Sequence, residues 1–194
     1  AQPGERDTLV DMVISLLHAW KLLGYERDGF HWAAEALVFC PEPTLKRARL
    51  IFGRANLAME VGNPRLALES CDEALAIFRR EGDRARLVKG LNLRSAVFYF
   101  TGEFDRAYET IAEALALSRE IGSDMQVTQA VFQMGMFAMS RGDLDEAYAR
   151  FEESLERLGP TGNPLGVAVV SNNFGEVARL RGQLDEARGW LEKS

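Results

Sequence analysis

Apolar residues, large and small, return at fixed offsets every forty positions along this chain. Small side chains stand at Ala55, Ser95, Gly135 and Gly175, then at Ala67, Ala107, Ala147 and Ala187, and again at Ala74, Ala114 and Ser154. Large ones fall between them: Phe104, Leu144 and Leu184, and Cys71, Ile111, Phe151 and Leu191. The segments that carry them have helical spacing, and no Val/Ile/Thr alternation of period two runs long enough to make a strand. The pattern predicts helices over roughly 7–23, 27–39, 44–61, 64–80, 84–101, 104–120, 124–141, 144–158, 164–181 and 184–194. A constant period of this length means one supersecondary unit stacked into a solenoid, because each unit can bury its apolar face only against its neighbours.

Turn residues fall in the same register. Gly62, Gly102, Gly142 and Gly182 close the first helix of each pair, and Gly82, Gly122 and Gly162 close the second. Glycine ends helices because it enters the left-handed region at little steric cost. Asp83, Ser123 and Asn163 follow as N-caps, and Asn63-Pro64 and Asn163-Pro164 join a capping side chain to a proline suited to the first helical turn. Ser123 with Gln126, and Asp143 with Glu146, have capping-box spacing. The first pair repeats the plan at a 38-residue offset, Gly29, Ala36 and Leu37 standing where Ala67, Ala74 and Leu75 stand later. The chain thus reads as one array over 1–194: an atypical first repeat at 1–43, full repeats at 44–82, 83–122 and 123–162, and a shortened one at 163–194.

A small residue in the first helix, followed by Ala, a bulky residue and Ala in the second, resembles the tetratricopeptide repeat (TPR). The resemblance covers nearly the whole chain. It implies an all-α, right-handed superhelical solenoid of antiparallel helix pairs that binds protein or peptide and carries no catalytic machinery. The period departs from the family's usual ~34 residues, and Arg54 and Arg94 replace the usual large residue of the first helix. HEAT-like repeats share the longer period but lack these Ala offsets. The segments from Ser171 to Ala178 and from Ala114 to Glu120 are similar to TPR sensor regions of bacterial STAND-type multidomain regulators. That likeness implies the sensor or scaffold part of a cytoplasmic regulator, whose partner is an inducer or another domain of the same parent; stand-alone TPR scaffold proteins use similar repeats and are the alternative.

Composition narrows the function classes. Of 194 residues, 47% are apolar and 27% charged, which describes a folded chain, and the formal net charge of −6 argues against nonspecific binding to nucleic acid or anionic membrane. There is no apolar run long enough to span a membrane and no signal-peptide pattern. Cys40 and Cys71 make neither a metal spacing nor a disulfide framework, which fits a reducing compartment. The sequence opens without Met and stops within a helix pattern, so it reads as a piece of a longer protein. The face left bare at Leu184 and Leu191 invites self-association.

Candidate chemistry is sparse. Neither phosphate-loop pattern occurs. His31 and Glu35 share a helical face, but two ligands do not make a metal site, and no cofactor is implied. Ser95 and Ser171 have no base beside them, and the acid pairs Asp145-Glu146 and Asp185-Glu186 suit the positive ends of helices. The inner face of the array is the candidate site. Taken at i, i+3, i+7 and i+10, its rungs are Arg49, Phe52, Asn56 and Met59; Lys89, Asn92, Ala96 and Tyr99; Gln129, Phe132, Met136 and Met139; and Val169, Asn172, Glu176 and Arg179. The amide and cationic members can hold an extended backbone or acidic side chains. They do not reproduce the family's clamp for a C-terminal carboxylate. The helix from Met125 to Met139 is apolar nearly all round and must be covered on every side. Its methionines, with Phe98, Tyr99 and Phe100, read either as inter-repeat core or as an adaptable groove. Two occupants remain open, a polypeptide segment or an apolar small molecule.

Overall fold

The computed structural model describes residues 3–159 and 164–192, apart from the side chains of residues 3, 4 and 191. Among these are ten helices and no strand: α1 (Pro3–Leu23), α2 (Glu26–Leu37), α3 (Leu45–Glu60), α4 (Pro64–Arg80), α5 (Arg84–Phe100), α6 (Phe104–Glu120), α7 (Asp124–Ser140), α8 (Leu144–Leu158), α9 (Pro164–Leu180) and α10 (Leu184–Leu191). They form two compact units, Ala1–Glu103 with α1–α5 and Phe104–Ser194 with α6–α10. Helices consecutive within a unit pack as antiparallel neighbours across short links, while α1, α3 and α5 in the first unit, and α7 and α9 in the second, also touch side by side.

The ends form as the turn residues dictate. After α3, Gly62 turns to φ +76°. Its N–H donates to Met59 O and that of Asn63 to Ala58 O, the paired bonds that satisfy the last carbonyls of a helix. The same turn returns at Gly82, Gly102, Gly122, Gly142 and Gly182. Asn63, Asp83 and Asp143 cap the helices that follow, each side chain accepting from the backbone N–H three residues on. Two expectations need correction. Ser123 makes no side-chain cap bond, and Gln126, the other half of the proposed box, is buried, while the Ser123 N–H it would have met donates to Ser118 O at 3.1 Å. Glu146 also does not reach back to its cap; its carboxylate accepts from the Tyr108 hydroxyl at 2.7 Å and meets Arg141. Gly162 and Asn163 lie outside the described residues.

Packing follows the small-and-large alternation. Ala67, Ala107 and Ala147 are fully buried, as are Ala55, Ser95, Ala74 and Ala114. A Cβ on Gly135 would stand 2.7 Å from the buried ring of Phe151, so α7 and α8 approach as closely as they do only because that atom is missing. Cys71 is buried too, and burial, with the Asp72 charge, pushes its thiol up to about 12. The arginines in place of the usual large residue take new partners. Arg54 lays its guanidinium 5.4 Å from the Phe30 ring centre, and Arg94 reaches Asp72 at 3.3 Å. In the second unit one lock occurs twice at the forty-residue period. Tyr108 bonds Glu146 beneath Arg141, and Tyr148 bonds Glu186 beneath Arg181.

Candidate functional site

Helices α1, α3 and α5 bring one face of each into a shared cleft of about 330 Å³ within the first unit. Gly53 on α3 lets α1 come close, since a Cβ there would overlap the Leu17 side chain. The floor is apolar, made by Ile14, Leu17, Phe52 and Leu57. Phe52 is held edge-to-face on the buried ring of Phe78, with centroids 6.3 Å apart. Asn56 stands one turn on and donates its amide to Phe52 O at 3.0 Å. Around this floor lie His18 and Lys21 from α1, Arg49 from α3, and Arg86 and Lys89 from α5; no lining side chain is acidic.

These cations differ in how far the protein neutralises them. Lys21 Nζ sits 2.6 Å from Glu60 Oε1, and the Arg86 guanidinium pairs with Asp83. Burial alone would raise the Asp83 carboxyl, but the bonds from the Arg86 backbone and side chain outweigh it and, with the Lys89 charge, hold it below the usual range. Arg49 is exposed and makes no hydrogen bond or ion pair among the described residues. Lys89 is likewise exposed, and its influence on Asp83 is through charge alone.

The second unit has its own cleft, of about 350 Å³, between α7, α8 and α9. Met125, Phe132, Leu158, Leu165 and Val169 are among its lining residues, with Gln129 and Thr128, and none carries a charge. Phe132 leans on Phe151 at 5.7 Å between centroids.

The expected rungs are therefore dealt out among different surroundings. Arg49, Phe52, Asn56 and Lys89 meet in the first cleft, and Phe132 lines the second. Met136 and Met139 are half-buried against the core of Ala147, Phe151 and Phe174, so each is partly packing and partly surface. Tyr99 is half-buried on α5, its ring edge-to-face with Phe100. Asn172 is exposed, while Arg179 is engaged by its neighbour Glu176 through two bonds, at 2.6 and 2.8 Å. Asn92 is a correction: expected on a groove wall, it is only 5% exposed. Its helix is buried along Val88, Leu91, Asn92 and Ser95, and from α5 it is Arg86 and Lys89 that line the cleft. Of the two residues expected on an uncovered face, Leu184 is 68% exposed and the Leu191 side chain lies outside the described residues.

The contribution of α1 was missed, although the sequence carried its signal. Moved back by the 38-residue offset, the rung of Arg49, Phe52, Asn56 and Met59 falls on Asp11, Ile14, His18 and Lys21. Three of those four line the cleft, and the fourth is tied to Lys46 at 3.1 Å.

Comparison with known proteins agrees with this architecture. Residues 127–194 match the tetratricopeptide repeat family. No curated protein matches the sequence. Among solved structures, BtubC (BKLC) from P. vanneervenii is similar with a TM-score of 0.82 at 20% identity, over 99% of this chain and 80% of that one. The Pseudomonas aeruginosa protein pilF is similar with a TM-score of 0.73 at 20% identity, over 97% and 76%. A Rap protein complexed with Competence and Sporulation Factor is similar with a TM-score of 0.80 at 15% identity, over 96% of this chain and 52% of that one. The fold is a TPR-like array of helix pairs. Among the described residues no helix is long and apolar enough to cross a membrane.

Proposed function

We propose that this chain is a non-enzymatic interaction module that holds a segment of another polypeptide against the face made by α1, α3 and α5. The observation that carries the reading is the cleft itself, where successive first helices place Arg49, Phe52, Asn56 and Lys89 around one apolar floor. Such a surface can orient a chain with amide and charged groups while an apolar side chain enters the floor. It offers no nucleophile paired with a base, so binding is what it can do. The similar Rap protein, solved as a complex with a factor, supports the use of this fold for capture. The wider setting we propose is the sensor or scaffold part of a cytoplasmic bacterial regulator of the STAND type.

Selection of binders from a displayed library of random peptides tests the reading. Alanine at Phe52 should weaken the selected peptide by about 2 kcal/mol or more, roughly thirtyfold, as loss of a central aromatic contact does. Unchanged affinity in a variant that still melts cooperatively would refute it. A second reading rests on the uncharged cleft of α7, α8 and α9, whose apolar lining suits a small apolar ligand. Binding of such a ligand that is lost in Phe132→Ala and kept in Phe52→Ala would favour it.

A further inference from the structure

Charge separates the two clefts, and it points to the kind of segment the first one takes. We propose that the cleft of α1, α3 and α5 selects an acidic stretch of a partner protein, its carboxylates set against Arg49 and Lys89 and one apolar side chain set on Phe52. The inference rests on the peptide-binding reading above and adds the chemistry of the peptide.

The chain as a whole carries a formal charge of −6, yet every charged side chain lining this cleft is basic. Two of those cations are already spent inside the fold, Lys21 on Glu60 and Arg86 on Asp83. Among the described residues Arg49 and Lys89 are exposed and make no hydrogen bond or ion pair, although the Lys89 charge is felt by Asp83. On an acidic protein such a spot draws acidic chains by local complementarity, while the like net charge of two whole copies opposes their approach more than that of one short segment, which favours a foreign segment over a second copy. The cations also sit beside the apolar floor: Arg49 is one turn before Phe52 on α3, and Lys89 follows Arg86 by one turn on α5. An exposed ion pair by itself adds little, so discrimination requires carboxylates and an apolar anchor together. At about 330 Å³ the cleft is at the small end for a ligand site, suited to one side chain and its flanking groups rather than to a large cofactor. A nucleic acid is the poorer fit, since its affinity grows with the number of phosphates neutralised, and among the described residues this cleft offers two cations outside an ion pair, Arg49 and Lys89.

The test uses the whole chain and three peptide pools read by fluorescence anisotropy. Each pool has peptides of about twelve residues, acetylated and amidated so that no terminal charge remains, with a fixed central Leu or Phe. The central residue is flanked on both sides by Glu in the first pool, Gln in the second and Lys in the third. The Glu pool should bind at least about tenfold tighter than the Gln pool, and raising salt from about 50 to about 300 mM should erode that margin. In the double variant Arg49→Ala, Lys89→Ala, which alters only exposed side chains, the margin should shrink to about twofold while the melting curve is unchanged. Equal binding of the Glu and Gln pools overturns the inference, as does a margin that survives the double variant. If the Gln pool binds as well as the Glu pool and Phe52→Ala releases both, peptide binding stands and only the acidic preference falls. Binding of none of the pools overturns both. Tighter binding of a single-stranded oligonucleotide than of the Glu pool, at equal salt, also overturns the acidic-protein assignment.

Discussion

Asp83 stands between the fold and the cleft. Its carboxylate accepts from the Arg86 backbone at 3.0 Å, capping α5, and pairs with the Arg86 guanidinium on the rim. Loss of a cap of this kind costs about 1 kcal/mol, so Asp83→Ala should lower the urea midpoint accordingly. The pH dependence has a definite sign. The folded carboxyl is held below its ordinary value, so its contribution is complete above the unfolded pKa and is lost as pH falls through the depressed folded one. Wild type and Asp83→Ala should therefore differ at neutral pH and converge in acid below the carboxylate range. A constant gap throughout would show that the cap works without its charge. The sequence marks Asp83 well, because an Asp after a Gly and before a helix has few other uses. Ser123 has the same spacing yet does not cap, and its box does not close: Gln126 is buried and the Ser123 N–H is already bonded to Ser118 O. Local pattern cannot see that competition.

At the scale of helices, period and turn residues fix boundaries closely: α4, α6 and α8 begin and end where the spacing places them. Rotation about the helix axis is harder to read. On α5 and α7 apolar positions run round most of the circumference, so a choice of rung is a choice among nearly equal stripes. That is why Asn92 turned out buried, and why Met136 and Met139 pack on the core as well as facing out. The α1 face was legible only through the 38-residue offset, a shift that strict forty-residue bookkeeping hides. Helix approach, by contrast, is written in single residues. Gly135→Ala ought to gain roughly 1 kcal/mol of helix propensity. Its Cβ would instead meet Phe151 carbon atoms at 2.7 and 2.8 Å, and that ring is fully buried. Overpacking of this sort costs about 1–3 kcal/mol, so the variant should be less stable than wild type in urea. A more stable variant would mean that α7 and α8 can separate freely.

For the molecule as a whole, two compact units carry two clefts of similar size and opposite character, one rimmed with cations and one uncharged. Repeat architecture was legible from the sequence because every copy must obey the same packing rule. Function was less so, because the residues that differ between copies are those that packing does not constrain. Arg49 and Lys89 are such residues: neither supports the core, and both are exposed cations lining the first cleft. The central claim is that the face of α1, α3 and α5 holds a polypeptide segment. A crystal structure of the chain with its tightest selected peptide tests it most directly. The account predicts the peptide lying across α1, α3 and α5, with an apolar side chain on Phe52 and polar groups at Arg49 and Lys89. A peptide seated on the face of α2 and α4, with the cleft unfilled, would contradict it.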